Sequence, residues 1–248
     1  MDALARDGFA RRTTGTYTDD PVYADFVRQA LGLGYRPVAY EMTGPQFERG
    51  GGIELREQAQ AENLIAGLFA RDPKPKTLIF VGHSHVAESP LSDGDGGTIE
   101  WMASRLKRMT GVDPLTIDQT GVSETSYGRS LRDAAAIAAG KAGERPAVLF
   151  EGDRPLVLGQ YADAVDLQVV HARRSYVHGR PAWLTRMGRK PVDIPRALLS
   201  AIGRRLVQAF AADAPPAAVP LDQVVVRAGA PVPKLMLPDL PVRYATQP

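Results

Sequence analysis

The sequence contains no cysteine, which excludes disulfides and every zinc site built on thiolates. The absence leaves the compartment open, because a cysteine-free chain is comfortable in reducing and oxidising surroundings alike. Long apolar runs are missing too. No stretch approaches the ~20 residues of a membrane span. The opening, MDALARDGFARRTTGTYTDD, has no apolar core of a secretory leader. The chain as given is therefore expected in the cytoplasm, or in the periplasm or outside the cell if its natural start lies further upstream. Charge of one sign is also lacking. The net charge is +2, which argues against a nucleic-acid surface. The short basic pairs Arg173-Arg174 and Arg204-Arg205 read as solvated faces.

What is present is an ordinary globular composition, 44% hydrophobic and 23% charged over 248 residues, long enough for a real core. Asp19-Asp20-Pro21 predicts a helix start, with Val22, Tyr23, Phe26, Val27, Ala30 and Leu31 on one face. YRPVAYE predicts a strand ending at Glu41. A helix follows from Ile53 to Ala70, with Ala61, Leu64, Ile65, Leu68 and Phe69 as its buried stripe, stopped by Asp72-Pro73. Strands are expected at Thr77 to Val81, in PLTID ending at Asp118, and in PAVLF. Helices are expected at Ile99 to Thr110 and Leu131 to Ala139. This alternation predicts an α/β fold, a mostly parallel sheet with flanking helices over 17–150. A β-richer C-terminal extension is expected over 151–248. There LVLGQY, DLQVVHA, VVVRA, KLML and VRYA read as strands, and PRALLSAIGRRLVQAFAA reads as one amphipathic helix.

In a parallel α/β sheet, ligands bind beyond the carboxyl ends of the strands. The residues there are Glu41, His83 with His85, and Asp118. Two of the four histidines thus sit one residue apart at one strand end. If the strand ran through them, both imidazoles would point to one side and suit a shared metal, zinc or manganese. If Gly82 opens a turn, they bond loop backbone instead. Arg56, Gln60 and Asn63 fall within about 60° of arc on the helix after Glu41. Arg56 there can reach Glu41 or an anionic ligand group as a forked donor, or simply face water. Asp118 can orient a histidine or ligate a metal, or cap the following turn. Glu88 and Glu124 are further loop carboxylates. Ser84 lacks the G-x-S-x-G surroundings of a nucleophile, and His171 and His178 read as structural.

These residues form a longer pattern: Arg56-Glu57-x-x-Gln60-Ala61-x-Asn63-Leu64, then Lys76, then Gly82-His83-Ser84-His85-Val86, then Met102-Ala103, Leu106 and Gly111. It resembles the erythromycin esterase-like family, which pairs an R-D-x-x-M-A-x-N helix with an H-N-x-H-V strand end. That family is similar in architecture to the TraB/TIKI metalloproteases and to a haem-binding lipoprotein family. The resemblance spans Thr14 to Glu124 and extends to a bacterial group with phrases close to GYRPVAYE and TGVDPLTIDQT. It implies Glu41, Arg56, Asn63 and His85 as pocket residues. Two positions depart from the family. One fewer residue separates His83 from His85, and Gln60 stands where methionine is usual. The family's opening G-E-x-x-H strand has no counterpart, so the expected domain lacks its first part. A partner chain or second copy is expected to cover the exposed sheet edge.

The resemblance implies a hydrolase for an ester, lactone or peptide bond. His85 would act as general base or metal ligand, Glu41 would orient that histidine or serve as its acid/base partner, and Arg56 would meet developing negative charge. His83, Asn63, Gln60 and Asp118 would line the small-molecule site. Two other readings stand beside it. One is a non-catalytic protein that holds haem or a divalent metal through His83 and His85. The other is a shortened family member that has lost its chemistry.

Overall fold

The computed structural model describes residues 2–70, 72, 76–126, 128–143, 145–171 and 173–247. The chain divides into two compact units, a discontinuous one of Met1–Pro37 with Arg174–Pro248 and a continuous one of Val38–Arg173. The expected boundary at 150 falls inside the continuous unit.

The discontinuous unit opens with two helices, α1 (Asp2–Asp7) and α2 (Pro21–Gly32). Helix α2 starts where its sequence predicts: the Asp20 carboxylate accepts from the Val22 and Tyr23 amides at 2.9 and 3.0 Å, and proline holds the first position. The rest is antiparallel sheet. The strand Arg204–Ala211 lies between Asp222–Arg227 and Val242–Gln247, and Lys190–Val192 pairs with Leu235–Leu237. Val207, Ala209, Val224, Val226, Leu235 and Leu237 close its core. The expected helix over 195–212 is therefore corrected to a short 3-10 turn and a strand. Gly203, at φ +67°, breaks any helical path. Beyond it, Val207 and Ala209 point into the core at the two-residue period of a strand. Pairing on both edges outweighs the local helical spacing, a tertiary override of propensity.

The continuous unit holds α3 (Gly44–Phe47), α4 (Ile53–Leu64), α5 (Met102–Thr110) and α6 (Arg129–Ala142). A π-turn over Ile65–Phe69 extends α4 toward the end predicted for it; the proposed stop at Pro73 lies outside the described residues. Ala61, Leu64 and Leu68 pack on Met102 and Leu106 of α5, and Val38, Tyr40, Ile79 and Val81 lie against the same cluster. Gly67 is required there: a Cβ at that position would meet Val38 Cγ1 at 2.7 Å.

The predicted mostly parallel α/β sheet is overturned. The fold is mixed α+β, with small antiparallel sheets and, among the described residues, a single parallel pair, Ile117–Asp118 with Leu167–Val170. The segments 35–41 and 77–81, expected as strands, form none. Tyr40 Oη donates to the Phe80 carbonyl at 2.7 Å, a side-chain bond between the two segments. Val38, Tyr40, Ile79 and Val81, alternate residues of the two segments, are partly buried against the helices. Their other residues, Leu78 and Phe80 among them, remain exposed. Parallel sheets persist when helices cover both faces, and here that cover is one-sided. No described helix is long and apolar enough to cross a membrane.

Candidate functional site

Helix α4 organises the predicted residues. Its Asn63 amide donates to the carbonyls of Tyr40 and Glu41 at 3.1 and 3.0 Å and exchanges bonds with Gln46. That amide pins the backbone next to Glu41. The Glu41 carboxylate then takes a forked bond from Arg56, Nε at 3.0 Å and an Nη at 2.5 Å. Gln60 Nε2 lies 3.1 Å from both carboxylate oxygens, and the Met42 amide donates at 2.7 Å. Partial burial pushes the Glu41 pKa up. The bonds from Arg56, Gln60 and the Met42 amide, with the Arg56 charge, outweigh it and lower the pKa from 4.5 to about 2. Of the alternatives for Arg56, the pairing with Glu41 is the one observed.

The carboxylate that meets His85 is not Glu41. Glu57, fully buried on α4, has Oε2 at 2.7 Å from His85 Nδ1, and the same oxygen accepts from the Met102 amide at 2.9 Å. Trp101 stands edge-on to the imidazole, with ring centroids 5.5 Å apart at 86°. The imidazole tautomer with its proton on Nδ1 donates to this carboxylate and leaves the lone pair on Nε2. The two sets, Glu41–Arg56–Gln60 and Glu57–His85, are bound to α4 within a single helical turn. Among the described residues, the buried atoms Glu57 Oε1, Gln60 Oε1 and Trp101 Nε1 have no hydrogen-bond partner. Orphans of this kind cost stability and cluster where a site is built for something besides folding.

Of the two readings of the histidine pair, the turn is observed, although the His85 ring bonds Glu57 and not loop backbone. His83–Val86 is a 3-10 turn, with His85 N bonded to Gly82 O at 3.3 Å. The imidazoles therefore do not share a side. His83 is exposed, and its φ of +43° is a strained value for a residue with a β-carbon. Among the described residues no three histidine, aspartate or glutamate side chains gather as a metal site requires. A zinc or manganese ion at His83 and His85 thus has no third protein ligand among the described residues.

Asp118 proves to be the cap. Its oxygens accept from the Thr120 and Gly121 amides, from Thr120 Oγ1 and from Gln168 Nε2 at 2.9 Å. A Cβ on Gly121 would lie 2.6 Å from Asp118 Oδ2. Asp118 is buried and saturated, and it joins none of the α4 residues. Glu88 bonds Lys107 and Thr116, tying the histidine turn to the chain before Ile117. Burial and the neighbouring Asp113 and Asp166 raise the Glu88 pKa against the lowering pull of Lys107 and Thr116. Glu124 pairs with Arg173, Ser84 Oγ lies 3.3 Å from Tyr161 Oη, and His171 and His178 are exposed.

Glu57 and Trp101 were missed in the sequence. A signal for Glu57 existed: it lies four residues before Ala61 and seven before Leu64, so a carboxylate occupies the greasy stripe of α4. Trp101, next to the helix start, has no such mark. Compared with family models, curated proteins and solved structures, the chain matches none.

Proposed function

We propose that the 38–173 unit carries a hydrolase-type site of the erythromycin esterase-like kind, acting on an ester, lactone or peptide carbonyl. The observation that carries this reading is the 2.7 Å contact between a fully buried carboxylate and a half-buried imidazole. A buried acid that orients one ring nitrogen makes the other a general base. His85 Nε2 takes a proton from water as the water oxygen bonds to the carbonyl carbon. Glu57 steadies the imidazolium, and the proton then passes to the leaving oxygen or nitrogen as its bond to carbon breaks. Glu41 fixes the direction of Arg56, whose guanidinium meets the negative charge developing on the carbonyl oxygen.

The test is a panel of chromogenic esters and lactones with purified protein. Turnover that His85→Ala abolishes, and that Glu57→Gln lowers in kcat more than in KM, is the expected result. No turnover above the buffer rate, or turnover untouched by His85→Ala, overturns the reading. A Soret band on haem titration, lost in His85→Ala, would replace it with a haem-holding role.

A further inference from the structure

The antiparallel sheet of the discontinuous unit has an end that its own residues do not neutralise. Arg204 and Arg227 are cross-strand partners in register. Residues directly opposite on neighbouring strands project to the same face, and like charges so placed destabilise the pair. Both arginines are exposed, and neither has a carboxylate partner among the described residues. Four other basic residues of this unit meet carboxylates: Arg180 pairs with Asp222, Arg189 with Asp25, Lys190 with Asp239 and Lys234 with Asp193. Beside Arg204 a cleft of about 280 Å³ is lined by Ser200, Ile202, Arg204, Arg205, Thr246 and Gln247. One Nη of Arg205, also in the lining, lies 3.4 Å from the carbonyls of Leu198 and Leu199. The lining is rich in hydrogen-bond donors and holds no acid.

We propose that this end of the sheet binds a phosphate dianion, free or as the head of a small monoester. Two opposed guanidiniums leave two positive charges uncompensated. A carboxylate would match one of them. A phosphate monoester, with about −1.5 to −2 charge and three acceptor oxygens, matches both and accepts forked bonds from each. Thr246, Gln247 and Ser200 supply neutral polar contacts for the group that the phosphate carries, and Ile202 an apolar one.

Thermal unfolding of the full chain is followed in phosphate-free buffer, then with inorganic phosphate and with glycerol 3-phosphate, each against KCl of equal ionic strength. The expected result is a rise in Tm with phosphate that KCl does not reproduce. Arg204→Gln and Arg227→Gln each weaken the apparent affinity about tenfold or more. Neither variant unfolds earlier than the parent without phosphate, because each relieves the like-charge pair. A rise with both compounds assigns a monoester head, and a rise with inorganic phosphate alone assigns the free anion. A Tm unmoved by either compound overturns the proposal, and so does a rise that survives both substitutions.

Discussion

Asp222, on a strand of the sheet unit, and Glu57, on helix α4, are both buried carboxylates. Asp222 spends its two oxygens on folding: one accepts from Arg180 at 2.6 Å, the other from the Met236 amide at 2.6 Å. Glu57 places one oxygen between an amide and an imidazole and leaves the other without a donor. Burial alone therefore does not tell the two carboxylates apart. A saturated carboxylate holds chain segments together, whereas an under-satisfied one facing a titratable ring is equipped to move a proton. Asp118, with donors on both oxygens, belongs with Asp222 although it lies in the same unit as Glu57.

Substitution breaks or sharpens this contrast. Asp222→Ala strands the Arg180 guanidinium and the Met236 amide in the interior. It is expected to cost about 3–5 kcal/mol in urea unfolding; a loss under ~1 kcal/mol would erase the distinction. Glu57→Gln keeps an acceptor for the Met102 amide and removes the charge behind His85. Ester turnover should fall by about 10²-fold or more, with a stability change much smaller than that of Asp222→Ala. If instead the protein unfolds and residual turnover is normal, Glu57 is scaffold like Asp222. Asp118→Ala frees several turn donors and should cost about 1–3 kcal/mol, leaving kcat of the remaining folded protein unchanged.

The smallest effect concerns Glu41. Its pKa is lower in the folded chain, about 2 against 4.5, so its contribution is complete above pH 4.5 and disappears as pH falls toward 2. Acid titration of stability should lose that part in Arg56→Gln, whose Glu41 returns toward the ordinary value. An unchanged acid limb in the variant would show that the pair contributes nothing across this window.

Local signals in the chain were easy to read. Asp20-Pro21 starts a helix because a carboxylate and a proline satisfy or remove the first unpaired amides. The stripe of α4 was legible because helical spacing repeats over several turns. The Glu41–Arg56 pairing was one of two readings open for Arg56, and the Glu57–His85 contact was not foreseen. A buried acid is visible in a sequence only as a break in an apolar stripe, and its partner lies 28 residues away.

By itself the sequence determined the start of α2, the inward stripe of α4, and that this chain carries no thiol. Those properties depend on neighbours within a few residues. Tertiary structure alone decided that 204–211 is a strand, that the sheets are mainly antiparallel, and which carboxylate meets His85. The reason is physical: strand pairing and buried polar contacts join residues far apart in the chain. Their energy exceeds the fraction of a kcal/mol per residue by which local propensity favours one conformation over another.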